Sequence, residues 1–150
     1  MSLGLDPLGL VPLGTGSSSS SDTTAPVLSS PTGSATGATT ATVGATTDEG
    51  NGTIYGFVST SATPPSSADL KAGTGATWAG SAAVSGTGAQ TLNASGLTAS
   101  TSYYAHLIHT DAAANDSNIV SSAQFTTTSG SIVGPGFLSS PLLSGRLLRG

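Results

Sequence analysis

The chain has 150 residues, room for one ordinary domain of about 100 residues with extensions and too little for two comfortable ones. Charged residues make up only 7% of it, and the formal net charge is −4 with three cationic side chains, so it lacks the counterion-release footprint of a nucleic-acid binder and no nucleic acid is expected as a partner. Cysteine is absent, which excludes a disulfide framework and a thiol nucleophile, and the abundance of serine, threonine, glycine and alanine suits many short strands and turns.

Residues 1–14 read as an apolar arm. Leu3-Gly4-Leu5-Asp6-Pro7 is followed by Leu8-Gly9-Leu10-Val11-Pro12, a repeated unit with Leu13 beyond it. Prolines at that interval forbid both a helix interior and a central strand. Asp6, Pro7 and Pro12 also interrupt the apolar run that a secretory leader needs. No segment approaches the roughly 20 apolar residues that cross a bilayer, so no membrane insertion is expected. Residues 15–24 have the Gly/Ser/Asp/Thr composition of a flexible linker.

From 25 to 128 the pattern is all-β. Strands are expected at 26–30, 39–46, 53–61, 89–95, 103–110 and 119–127, with a seventh at 82–85. Asp48-Glu49-Gly50-Asn51-Gly52 reads as a hairpin turn joining the second and third strands, because Asn-Gly accepts the positive dihedrals such turns require. Its two acids read as a solvated turn, since a calcium loop needs further oxygen ligands at ordered spacing. Pro64 and Pro65 end the third strand, after which Ser66 as cap, Asp69 three residues on and Gly73 as terminator predict a short helix.

Trp78, the single tryptophan, falls in a connecting segment. Trp78 and Tyr104 are candidate glycan contacts, because sugar-binding sandwiches stack pyranose faces on exposed aromatic rings. Core or edge packing is the competing expectation for Trp78, since a chain so poor in aromatics needs their area.

The most informative stretch runs from Leu97 to Thr127. Ala105, Leu107 and His109 alternate with Tyr104, His106 and Ile108, the two-residue period of a strand that buries one face. Tyr103, just ahead of that strand, can bury its ring and return its hydroxyl to the backbone upstream. The polar run from Asp111 to Asn118 then turns the chain for an antiparallel partner. His106 and His109 are three apart on a strand and face opposite sides, so they cannot form one site. His109 takes an inward, half-buried structural place, and His106 an ordinary outward one. With no third ligand beside either, and no nucleophile beside a positioned base, no catalytic residue, metal or cofactor is expected.

The spacing Leu97, Thr101, Tyr103, then Ala105, Leu107 and His109, then Asp111 and Asn115, resembles the F strand and F–G turn of fibronectin type III-like domains, immunoglobulin-like β-sandwiches. The resemblance extends over about residues 24–128. It implies an all-β, single antiparallel sandwich with Leu97 and Tyr103 as its structural corner. The chain departs from the family at Ala99 and Ser100, where the corner loop usually has Pro and Gly, and at Ala114, where the turn usually carries Gly before Asn.

Residues 129–150 form a second apolar arm, in which Phe137-Leu138, Leu142-Leu143 and Leu147-Leu148 recur with Pro141, Gly145, Arg146 and Arg149 between them. A leucine moved from water to an apolar site gains about 1.5–3 kcal/mol, so two such tails, neither able to fold on itself, are expected to bury against other subunits, the alternative being that they fold back over the sandwich's own open edges. The expected docking residues are Leu3, Leu5, Leu8, Leu10, Val11 and Leu13 in one arm, and Phe137, Leu138, Leu142, Leu143, Arg146, Leu147, Leu148 and Arg149 in the other.

A display-type sandwich with no export signal, no disulfide and two anchoring tails fits a component of a bacteriophage particle, made in the host cytoplasm and working outside after lysis. Its Thr/Ala/Gly/Ser style is similar to the modules carried by phage capsid, decoration, tail and fibre proteins. By that analogy the expectation is a non-enzymatic virion structural protein, a capsid decoration or tail-attached accessory, docked in several copies on other virion proteins. The alternative, from a different class, is a carbohydrate-binding accessory module at a bacterial cell surface, with a host-surface glycan as its partner.

Overall fold

The computed structural model describes residues 21–130; the N-terminal arm, the C-terminal arm beyond residue 130 and every expected docking residue lie outside the described residues. Eight strands and one helix follow one another as β1 (Leu28–Ala35), β2 (Ala41–Thr47), β3 (Thr53–Ser59), α1 (Ser67–Ala72), β4 (Trp78–Ala83), β5 (Gly88–Ala94), β6 (Ser102–Thr110), β7 (Val120–Ser121) and β8 (Phe125–Thr126). They form two antiparallel sheets, one in the order β1-β2-β5 and the other β4-β3-β6-β7, with β8 also on β6. This is the fibronectin type III-like sandwich that the resemblance implied.

The alternation in sequence decides which side chains meet between the sheets. Val43 and Ala45 of β2, Ile54 and Val58 of β3, and Tyr103, Ala105 and Leu107 of β6 share one core with Leu28, Leu92, Leu97 and Phe125. Tyr103 is the largest fully buried side chain. Its hydroxyl accepts from the Thr98 N–H at 3.0 Å, and its ring lies 6.2 Å from that of Phe125. The corner expected of Leu97 and Tyr103 is therefore built as the sequence implied.

Several boundaries differ from expectation for identifiable reasons. The first strand runs on past Pro31 to Ala35, because Pro31 sits on a sheet edge and at a register shift between Ser29 and Thr32, where a missing N–H costs nothing. The fourth strand begins at Trp78, so the tryptophan belongs to a strand and not to a connection. The turn at 48–52 is not a hairpin, since β2 and β3 lie in different sheets and the segment carries the chain across the sandwich. Gly52 makes that crossing at φ 86°, and a Cβ there would lie 2.1 Å from the Thr110 carbonyl oxygen.

The strand expected at 119–127 is broken into β7 and β8. Three buried hydroxyls explain the break. His109, Ala105 and Thr101 donate their N–H groups to the side chains of Ser117, Ser122 and Thr127, at 2.9, 3.0 and 3.0 Å. The backbone N–H groups of Ser117, Ser122 and Thr127 donate back to the carbonyls of the same three residues, at 2.8, 2.8 and 3.0 Å. The last strand thus advances five residues for every four of β6, and a hydroxyl fills each backbone position that the mismatch empties.

A second apolar cluster covers the outer face of the β3–β6 pair. Ser66 accepts from the Asp69 N–H as N-cap, and Gly73 closes α1 in the left-handed conformation, as the sequence predicts. Leu70 of α1 packs on Phe57 and Ile108, with Tyr55, Ala76 and Ile119 beside them.

Candidate functional site

The described residues present three places that carry chemistry: two buried histidines, an acidic pole and the candidate aromatic pair. Both histidines lie on β6 and both are fully buried. His109 points between the sheets, where its Nδ1 meets the Thr47 hydroxyl at 2.8 Å and its Nε2 faces the Asn51 carbonyl oxygen. A carbonyl only accepts, so Nε2 carries the proton and Nδ1 accepts from Thr47. The inward placement is as expected; the burial is complete and not half.

His106 faces the outside of the sheet, also as expected, but it is not an ordinary surface side chain. The segment leading to α1 covers it: its Nε2 donates to the Ser61 carbonyl at 3.1 Å, and its Nδ1 accepts from the Ser121 hydroxyl at 2.7 Å. The Phe57 ring lies 6.2 Å away. The lid over this face is laid down by the insert between β3 and β4, which a period-two reading of β6 alone does not reveal. Each imidazole is thus saturated by a carbonyl and a hydroxyl from other segments. Both act as cross-links, and the two rings stand on opposite sides of the sheet.

The pole formed by the β2–β3 crossing and the turn after β6 is acidic. One carboxylate oxygen from each of Asp22, Glu49 and Asp111 falls within 4.8 Å of the others. Asp48 and Glu49 share an open cleft there with Asp22, Thr24 and Ala25. Asp111 is buried, and its carboxylate accepts from the N–H of Asn115 at 2.7 Å and from its Nδ2 at 2.8 Å. Burial pushes the Asp111 carboxyl upward. Its bonds to the Asn115 side chain and to the backbone of Asn115 and Ala113 oppose burial and hold it below the usual carboxylate value.

Asp116 follows the same logic on the flank of this pole. Desolvation raises its carboxyl, and the hydrogen bonds from Lys71 and Thr110, with the Lys71 charge, bring it down further than desolvation lifts it. Lys71 Nζ lies 2.7 Å from Asp116, which ties α1 to the turn after β6. The expectation of a solvated turn at 48–52 missed the partners that the fold brings to it, because Asp22 and Asp111 are remote in sequence. Asn115 was legible only as a turn residue, yet its Nδ2 also donates to the carbonyls of Asp22 at 3.0 Å and Thr24 at 3.4 Å.

The two candidate glycan contacts are not brought together. Trp78 is half-buried on the inner face, its indole lying across the backbone of Gly80 and Gly56; a Cβ on Gly80 would sit 2.5 Å from the ring. Tyr104 pairs with Ser59 on the outer face of the same sheet. Among the described residues, no helix is long and apolar enough to cross a membrane.

No family model matches the chain, and no curated protein matches it in sequence. Solved structures similar to it include the fibronectin type III domain of human fibronectin type III domain containing protein 3, at 19% identity over 78% of this chain and 99% of that one, with a TM-score of 0.44. The fibronectin type III domain derived from the human KIAA0970 protein is similar at 16% identity over 83% of this chain and 85% of that one, again with a TM-score of 0.44. A myokine structure is similar at 17% identity over 70% of this chain and 97% of that one, with a TM-score of 0.42.

Proposed function

We propose that the chain is a non-catalytic structural component of a bacteriophage particle, in which the sandwich is the displayed part and the two apolar arms dock on neighbouring capsid or tail subunits. One observation carries this reading. The chain enters the sandwich at the acidic pole, where Asn115 holds the carbonyls of Asp22 and Thr24. It leaves at the opposite pole, where the Thr128 N–H donates to the Gly37 carbonyl and its own carbonyl accepts from Ser100. A domain strung between two apolar segments in this way is held from both ends once they are docked, and its sheets stay free for display.

The saturated histidines support a structural role in the same sense, since neither ring nitrogen is left to act on a bound molecule. Deletion of residues 1–14, or of 134–150, is expected to abolish incorporation into purified particles while the remaining sandwich stays soluble and folded. Full incorporation of both deletions overturns the docking role. A glycan array probed with the purified protein separates this reading from a carbohydrate-binding module: specific glycan binding that is lost in Trp78→Ala at unchanged stability would favour the latter.

A further inference from the structure

A sheet edge exposes a row of unpaired N–H and C=O groups, and proteins ordinarily blunt it with proline, charge, a bulge or a short broken strand. Two of the four edges here are blunted. β1 carries Pro31, the register shift between Ser29 and Thr32, and Ser30 at φ 48°. Asn118 also spans the Leu28 backbone, accepting from its N–H at 2.9 Å and donating to its carbonyl at 3.1 Å. The edge beyond β6 is broken into β7 and β8.

The other two edges, β4 and β5, hold neither proline nor charge and keep a continuous register with their inner neighbours. They differ in what stands over them. Beside β4 the end of α1 closes in, with Gly73 against the Ala79 side chain. β5 pairs with β2 through all 7 of its residues and presents Ala89, Thr91 and Asn93 bare on its outer face. Among the described residues no strand pairs with its far edge, and its one backbone irregularity, Gly88 at φ 105°, stands at its first residue.

Charge decides what fits there. No Asp, Glu, Lys or Arg stands between Lys71 and Asp111, so β4, β5 and the loops around them are neutral, whereas Asp22, Asp48, Glu49 and Asp111 gather at one pole. An acidic or basic strand would gain nothing from such an edge. A second copy laid antiparallel gains the backbone ladder and keeps the two acidic poles apart, because each comes to lie beside the neutral pole of its partner, formed by residues 36–40 and 95–101. We propose that β5 of one copy pairs antiparallel with β5 of a second copy about a two-fold axis, joining the two three-stranded sheets into one. Thr91, at the middle of the strand, then packs near its own counterpart, a favourable cross-strand pair.

A strand pair of this length buries less than the roughly 1,200–2,000 Å² of stable specific interfaces, so the association is weak and concentration-dependent. Sedimentation equilibrium of the full chain tests it. The wild type is expected to move from one chain to two as concentration rises, and Thr91→Lys and Ala89→Lys are each expected to weaken dimerisation by about tenfold or more at an unchanged melting temperature. Ser34→Lys, an exposed change on the blunted β1 edge, is expected to leave it intact. Amide hydrogen exchange gives a second readout, in which edge-facing amides of β5 slow as concentration rises. A single-chain mass up to about 1 mM overturns the proposal, as does association that Thr91→Lys leaves untouched or that Ser34→Lys disrupts equally.

Discussion

The Ser122 hydroxyl accepts the Ala105 N–H at 3.0 Å while the Ser122 N–H donates to the Ala105 carbonyl at 2.8 Å, so a side chain completes a ladder pair that backbone alone would leave half made. Ala105 is fully buried, and water cannot replace the lost acceptor. Ser122→Ala is therefore expected to destabilise the domain by about 1–3 kcal/mol, the cost of a buried donor left without a partner. Urea unfolding measures it, and Ser121→Ala, on the less buried neighbour that meets His106, gives the comparison.

Ser100 and Ala114 adopt φ of 52° and 71°. They are the two positions at which the chain departs from the glycines usual in fibronectin type III-like domains. The left-handed region costs a residue with a Cβ about 1–2 kcal/mol, part of which glycine returns as extra freedom in the unfolded chain. Ser100→Gly and Ala114→Gly are each expected to raise stability by about 0.5–1 kcal/mol, seen as a higher urea midpoint at an unchanged m-value.

Much of the fold was legible because its signals are local. Period-two alternation placed the inner face of β6, Ser66 and Gly73 placed α1, and Tyr103 placed the corner. What escaped depends on partners remote in sequence. Asn51-Gly52 announces a turn but not that the next strand belongs to the other sheet. Ser117, Ser122 and Thr127 recur at intervals of five, which no strand period suggests, because their hydroxyls stand in for backbone. The acidic pole shows the same limit, since Asp22 and Asp111 meet Glu49 only once the sandwich has closed.

Asp111 and Asp116 each link stability to acid pH. Both carboxyls lie below their ordinary value of 3.8 in the folded chain, because hydrogen bonds and charge outweigh the opposing effect of burial. A depressed folded value stabilises the native state fully above the unfolded value, and that contribution disappears as pH falls through the folded one. Stability is expected to be level with respect to these two groups above about pH 5 and to fall below about pH 4. Asp116→Asn keeps an acceptor for Thr110 and removes the charge facing Lys71, so it should flatten part of the acid slope in urea midpoints taken from pH 6 down to pH 2.5. An unchanged slope in both Asp116→Asn and Asp111→Asn would place the acid sensitivity elsewhere.

Leu70 decides whether the insert between β3 and β4 is part of the folded unit or an ornament on it. It is 1% exposed and is the one buried residue of α1, seated on Phe57 and Ile108. A helix of 6 residues has too little hydrogen bonding of its own to persist, so its order comes from this contact and from the Lys71–Asp116 pair, which as an exposed ion pair is worth about 1 kcal/mol at most. Leu70→Ala is expected to cost about 2–5 kcal/mol, the range for a buried leucine that leaves a cavity. Because the same insert supplies the Ser61 carbonyl to His106, loosening it should also make the His106 ring solvent-accessible, visible as faster exchange of its Nε2 proton in NMR. Lys71→Ala, by contrast, should leave that proton protected and lower stability by less than about 1 kcal/mol, separating the packing of α1 from its charge.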